Sequence, residues 1–347
     1  MTTGGARQER AGRITIRDIA SLSGVSVATV SRVINDRPDV ATGTRDKVMR
    51  VMRAHSFVTN PSARALSVGR TGLIEFTIPF VDESYFAAIL SGATEALYEQ
   101  EQRVVLSPTH HEHAREVTLV ERLMNGTTDG AIVLLPEESS EELRTLQAHG
   151  YPFVVADPRQ PLDEGIPAVS ATHSAGARAA TDHLLALGHR RIALITGTPG
   201  WTATEERLAG YRTALVAAGL PPVAELVVEG HFTTESGHAE AQRLLDLPAP
   251  PTAIFASNDN MAVGAMRAVL ERGLRIPDDI SIVGFDDTEL ACNVFPRLTT
   301  VRQPLAELGR TAVSLLNRLI EGRRTEALRI ELATRLVVRE STGLAPA

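Results

Sequence analysis

The sequence predicts an all-α N-terminal module of three short helices, followed by a larger α/β body built as two parallel-sheet lobes. Three observations carry this reading. Residues 15–55 read as short helices, the first two joined by a Gly-containing turn, which is the pattern of a helix-turn-helix. From about residue 72, short apolar runs alternate with helical stretches. The runs are LIEFTI, RVVLS, GAIVLL, PFVVA, RIALI, LVVEG, AIFAS and ISIVGF, and such alternation means parallel sheets covered on both faces. Charge is also segregated. Residues 1–70 carry twelve Lys and Arg against five Asp and Glu, whereas the rest carries 23 against 37. A basic module on an acidic body suits a polyanion partner for the module alone.

The elements follow in order. Residues 1–13 are expected to be disordered. Thr15 caps a first helix starting at Ile16, with Asp18 complementing its N-terminus and Ile16, Ile19, Ala20 and Leu22 as its apolar face. Gly24 breaks it, and Ser26 opens a second helix in which Val30, Val33 and Ile34 pack inward. A third helix, about 44–55, places Val48, Val51 and Met52 at helical spacing and closes the core of a module spanning 14–59. Residues 60–70 are a linker. Asn60 followed by Pro61 is a helix start, and the helix is too short to be stable alone.

The run TIRDIASLSGVSVATVSRVINDRPDVATGTRDKVMRVMRAHSFVTNPSARALSVGRTGLI resembles, almost position by position, the DNA-binding headpiece of the lactose-repressor (LacI/GalR) family. In a helix-turn-helix the second helix lies in the major groove with its first turn against base edges, which selects Val27, Ala28 and, one turn on, Arg32. Arg32 has the fork for a guanine, and the two small apolar residues suit a thymine methyl. Thr15, Ser26, Thr29, Ser31 and Asn35 are assigned to capping or phosphate contact, which positions without reading. The resemblance implies a hinge helix carrying Asn60, Ala63 and Arg64, with Leu66 wedged into the minor groove. Where the family often places Ser before the third helix this chain has Ala41, leaving Thr42 or Thr44 to cap.

HLLALGHRRIALITG, ERLAGYRTAL, FASNDNMAVGAMRAV, ISIVGFDDTELA and LTTVRQPLAELG resemble the regulatory core of the same family, which shares its fold with periplasmic sugar-binding proteins. The resemblance implies a first lobe of about 71–170 and 302–328 and a second of about 171–300 and 329–341. It also implies an effector in the cleft, touched by Tyr85, Phe86, Asp157, Arg207, Phe232, Asn258, Asp286 and Gln303. Carboxylates, amides and a guanidinium beside aromatic rings are the chemistry of sugar binding. Trp201, the only tryptophan, sits in a loop after a strand where a stacking platform is useful, and His173 lies at the lobe junction. The expected function is a repressor bound as a homodimer to double-stranded, pseudo-palindromic operator DNA and released by a sugar or oligosaccharide. The alternative is control by a phosphorylated partner protein or a purine-like corepressor.

Other classes leave no trace. The single lysine, Lys47, lies in the N-terminal module, so the body has neither a P-loop GK[ST] nor a catalytic lysine, and GxSxG is absent. No enzyme activity, cofactor or metal is expected, although His110, His111 and His113 cluster in sequence. No stretch of about 18 apolar residues predicts a membrane span, and the opening residues lack a secretory apolar run, so a cytoplasmic, nucleoid-associated protein is expected. The lone Cys292 excludes an intrachain disulfide and reads as a small buried residue.

Overall fold

The computed structural model describes residues 14–57, 70–81, 83–110, 112, 127–323 and 327–346. The chain divides into two compact units, residues 1–71 and 72–347. The expected disordered tail, the hinge residues Asn60, Ala63, Arg64 and Leu66, and the residues His111 and His113 lie outside the described residues.

The first unit holds α1 (Ile16–Ser23), α2 (Val27–Ile34) and α3 (Thr42–Ala54). Thr15 and Asp18 form a reciprocal capping box, and Gly24 ends α1 at φ 60°, a left-handed cap that costs glycine least. The Ser26 hydroxyl caps α2 by accepting from the Thr29 N–H at 3.1 Å. Ile19, Ala20, Val30, Val33 and Val48 form the small core. Leu22 does not join it. The buried side of this two-turn helix runs through Ile19 and Ser23, one turn apart, which leaves Leu22 52% exposed. Nor does a threonine cap α3. Ala41 occupies the cap position without a side-chain hydrogen bond, and its carbonyl accepts from the N–H groups of Thr44 and Arg45. Thr15→Ala, which removes both hydroxyl contacts at the start of α1, is expected to lower stability by about 1 kcal/mol in thermal melts of the isolated headpiece.

The second unit has two sheets. The first is built from β1 (Leu73–Ile78), β2 (Arg103–Pro108), β3 (Gly130–Leu134), β4 (Phe153–Ala156), β5 (Ala168–Ala171) and β11 (Arg329–Leu332), in the order β11-β5-β4-β3-β1-β2. The second has β6 (Ile192–Thr196), β7 (Val227–Glu229), β8 (Ala253–Ala256), β9 (Ser281–Asp286), β10 (Thr299–Arg302) and β12 (Arg335–Val337), in the order β12-β10-β9-β8-β6-β7. All pairings are parallel except that of β12, an antiparallel edge strand on β10. Helices α4 (Ser84–Glu99), α5 (Ser140–Ala148) and α11 (Leu305–Ile320) accompany the first sheet. The second carries α6 (His173–Ala186), α7 (Thr202–Ala217), α8 (Thr234–Leu245), α9 (Asp259–Glu271) and the short α10 (Glu289–Asn293).

One boundary is corrected. Residues 329–332 were assigned to the second lobe, but β11 pairs with β5 of the first sheet, Arg329 opposite Ala168 and Leu332 opposite Ala171. Having packed α11 on the first lobe, the chain adds its next strand there before crossing. Three segments therefore join the lobes: 171–173, 302–305 and 332–335. The first and third are tied by Thr172 and Thr334, whose backbone and hydroxyl groups exchange three hydrogen bonds of 3.0–3.1 Å. Arg302 lies opposite Arg335 in the β10–β12 ladder, which sets the second crossing beside the third.

In the first lobe α4 and α11 touch through glycines. A Cβ on Gly92 would lie 1.9 Å from the Ala306 carbonyl oxygen, and one on Gly309 2.1 Å from that of Ile89. Backbone stands against backbone, so nothing yields readily. Gly92→Ala is expected to cost about 1–3 kcal/mol, read as a lower thermal midpoint. Cys292 is exposed, not buried as expected, because in the single-turn α10 it is the neighbouring Ala291 that faces the core. Among the described residues no helix is long and apolar enough to cross a membrane.

Candidate DNA-reading helix and ligand cleft

In α2 the hydrophobic residues divide by face. Val30 and Val33 are buried, whereas Val27 is 42% exposed and Ala28 and Arg32 are also exposed. The residues expected to read bases thus stand on the solvent face of the helix. Among the described residues the Arg32 side chain has one weak tether, Asp39 at 3.8 Å, with both side chains more than half exposed. An exposed pair at that distance contributes little and leaves the guanidinium able to rearrange. The hydroxyls of Ser26 and Thr29 bond each other at 2.9 Å, and Asn35, the C-cap of α2, donates to Ser31 at 3.4 Å. These four polar residues are engaged in holding the helix ends, as is Thr15 in the cap of α1.

In the second unit a cavity of about 470 Å³ opens where the C-terminal ends of the strands of both sheets face each other. Each sheet reverses its strand order there, between β1 and β3 and between β6 and β8, which is where open α/β sheets bind ligands. Tyr85, Phe86, Asp157, Trp201, Arg207 and Phe232 line it, with Asn258 and Asp286. Residues that stand at non-glycine positive φ gather at this place: Leu135, Asp157, Phe232, Asp286 and Asp287. Each costs about 1–3 kcal/mol, and such strain persists where surrounding structure enforces it, often at functional sites.

A buried polar chain crosses the cleft. Tyr85 donates to Asp157 Oδ2, and His173 Nε2 meets Asp157 Oδ1 at 3.2 Å. Arg207 Nη2 stands 3.2 Å from His173 Nδ1, its Nη1 donates to the Ser257 carbonyl, and Asp286 Oδ1 is 3.8 Å away. A guanidinium only donates, so His173 Nδ1 accepts and the proton sits on Nε2, directed at Asp157. Gln303 donates to Asp286 at 2.7 Å. His173 and Gln303 do not line the cavity. They stand behind Asp157, Arg207 and Asp286 and hold them.

The two carboxyl groups are tuned apart. Burial pushes Asp157 up, but the hydrogen bonds of His173 and Tyr85 and the charge of Arg207 hold it below its usual range. Burial drives Asp286 well above that range, with Arg207 opposing. The cleft therefore presents two buried carboxyl groups that their surroundings push in opposite directions, one toward its charged form and one toward its neutral form, and hydroxyl groups, which both donate and accept, suit either. Burial and the neighbouring Asp157 charge keep Tyr85 a neutral phenol. Near Arg207 three buried atoms have no hydrogen-bond partner among the described residues: Arg207 Nε, Thr204 Oγ1 and Ser257 Oγ.

The aromatic side is built deliberately. Trp201 and Phe232 stack with centroids 5.3 Å apart at 33°. Phe232 adopts φ 62°, its carbonyl accepts from Asn258 Nδ2 at 2.9 Å, and a Cβ on Gly197 would fall 1.9 Å from its ring. Asn258 is occupied structurally at both ends, because its Oδ1 caps α9 through the Met261 N–H. Sequence reasoning missed Phe80, Leu135, Asp259 and Thr288, which also line the cavity. Their common signal is position within a few residues of a strand's C-terminal end. Among the described residues no cluster of His, Cys, Asp or Glu is arranged to hold a metal ion.

A helix-turn-helix unit and a two-lobed binding unit in one chain define a ligand-responsive transcription regulator. Residues 15–60 match the bacterial regulatory proteins of the lacI family, and residues 181–342 the periplasmic binding protein-like domain. The chain belongs to the LacI family. It is 36% identical over 343 residues to the HTH-type transcriptional regulator CelR of Thermobifida fusca, covering 96% of this chain and 99% of that one. It is likewise 36% identical to DegA of Bacillus subtilis (strain 168) over 334 residues, covering 95% and 98%. Among solved structures, the Lac repressor dimer bound to operator and the anti-inducer ONPF superposes with a TM-score of 0.85 at 31% identity, over 96% of this chain and 100% of that one. The CelR–cellobiose complex gives 0.73 at 35% identity, over 95% and 100%. The protein is thus a DNA-binding transcription regulator with a headpiece and a two-lobed α/β core.

Proposed function

We propose that the chain represses sugar-utilisation genes in the cytoplasm, binding a pseudo-palindromic operator as a homodimer and leaving it when a small sugar or oligosaccharide fills the inter-lobe cleft. The observation that carries this reading is the cleft's composition: the buried carboxyl groups of Asp157 and Asp286 and the buried Arg207 guanidinium beside the stacked rings of Trp201 and Phe232. Hydroxyls take the first group and the apolar face of a pyranose takes the rings. The relative crystallised with cellobiose supports a glycoside of that size. One headpiece covers a half-site, so an operator with two half-sites calls for two chains. A sugar preferring one lobe arrangement biases DNA affinity, and operator biases sugar affinity by the same factor.

The test is a thermal-shift series with glucose, cellobiose, cellotriose and guanine. A ligand at 100 times its dissociation constant stabilises by about 2.7 kcal/mol, so the effector is expected to raise the midpoint by about 5 °C or more. Failure of every sugar, or a shift with guanine alone, overturns the sugar reading.

A further inference from the structure

We propose that Arg159 and Trp201 form a clasp that holds the two lobes together beside the cleft, separately from the polar chain on its floor. Arg159 lies in the loop between β4 and β5 of the first lobe, and Trp201 between β6 and α7 of the second. Two contacts join them. The Arg159 guanidinium lies over the Trp201 ring, 4.2 Å from its centroid. The Arg159 carbonyl oxygen accepts from the Thr202 N–H at 2.9 Å and from the Thr202 hydroxyl at 3.4 Å. Thr202 is the first residue of α7, and its N–H is one of the groups a helix leaves unsatisfied at its start. No side chain of the second lobe caps α7, and the first lobe supplies an acceptor instead.

The clasp is anchored on both sides. In the first lobe Glu137, just after β3, pairs with the Arg159 guanidinium, and both side chains are mostly buried. In the second lobe Trp201 stacks on Phe232, Arg207 lies 5.9 Å from the Phe232 centroid, and the same guanidinium sits 3.9 Å from that of Phe285. Two stacked rings thus lie between the Arg159 and Arg207 guanidiniums, each cation placed to favour the negative face of a ring. The lobes cannot part along this edge without uncovering Trp201 and freeing the Thr202 N–H. The clasp therefore weights the lobe equilibrium on which the regulator depends, and Arg159 acts as a positioning residue.

Trp201 is the only tryptophan, so tryptophan fluorescence of the full chain reports the surroundings of this one ring. The experiment is acrylamide quenching of the protein without sugar, so its outcome is independent of the effector's identity. The variants are Arg159→Ala, Arg159→Lys, Glu137→Gln and Thr202→Pro, each checked for the wild-type far-UV spectrum. Thr202→Pro is decisive. Proline is favoured at the first helical position and the extended Trp201 suits a following proline, so the change removes the cross-lobe hydrogen bonds and spares the helix. Arg159→Ala and Thr202→Pro are each expected to raise the quenching constant about twofold or more, with Glu137→Gln in the same direction and Arg159→Lys between. If Arg159→Ala raises quenching while Thr202→Pro stays at the wild-type value, Arg159 merely shelters the ring and the clasp is wrong. Wild-type quenching in both variants overturns it equally.

Discussion

Arg207→Ala should yield a protein that still binds operator and has lost its response to sugar, with effector affinity reduced by about 100-fold or more. The guanidinium is 3% exposed and engages the Ser257 carbonyl, His173 and Asp286 while lying on Phe285. Its loss removes the donor that fixes the His173 tautomer and the positive charge that opposes the effect of burial on Asp286. Emptying that buried volume and leaving the Ser257 carbonyl and His173 without their donor should lower the melting midpoint of the core as well. Arg207→Lys should restore part of the stability and little of the response, because one ammonium cannot span Ser257, His173 and Asp286 together. Fluorescence anisotropy with labelled operator, titrated with cellobiose, separates the two effects. A normal sugar response in Arg207→Ala would put the effector elsewhere.

Arg32→Ala has the next largest expected effect, and on the opposite function. Specific operator affinity should drop by about 5- to 150-fold, the range for losing one bidentate contact to a guanine, while binding to scrambled DNA keeps its steep dependence on salt. Arg32 contributes one weak exposed pair to the fold, so the headpiece should melt as the wild type does. Titration of operator and scrambled duplexes at several salt concentrations measures the ratio. Unchanged selectivity would move the reading residues off this helix.

Local chemistry made much of the architecture legible. The Thr15–Asp18 capping box, the Gly24 turn and the inward valines of α2 depend on residues within one or two turns of each other, and periodicity reads such distances well. The strands β1–β4 and β6–β9 stood out as apolar runs for the same reason, whereas the short, more polar β5, β10, β11 and β12 did not. The cleft's polar residues came from resemblance, and the structure gathers Asp157, Arg207 and Asp286 around one cavity. What failed was either near a face boundary or long-range. Leu22 and Cys292 are apolar residues on helices too short for their phase to be judged by composition alone. The place of β11 depends on a partner, β5, about 160 residues away, and a four-residue strand carries no mark of which sheet it will join. Arg159 was invisible for a related reason: its significance arises only when a loop of one lobe meets a loop of the other.

The three connecting segments have a mechanical consequence. A single strap would let the lobes swing and swivel freely, whereas three lying side by side, two of them laced by Thr172 and Thr334, act as a door hinge of finite width. Bending about the line across all three straps deforms each a little and in the same sense. Twisting lengthens the outer straps against each other and strains the threonine lacing. Whatever occupies the cleft therefore works against a body with few soft directions, and a small push at the far edge emerges as an ordered rotation, the form of motion a hinge converts into a signal.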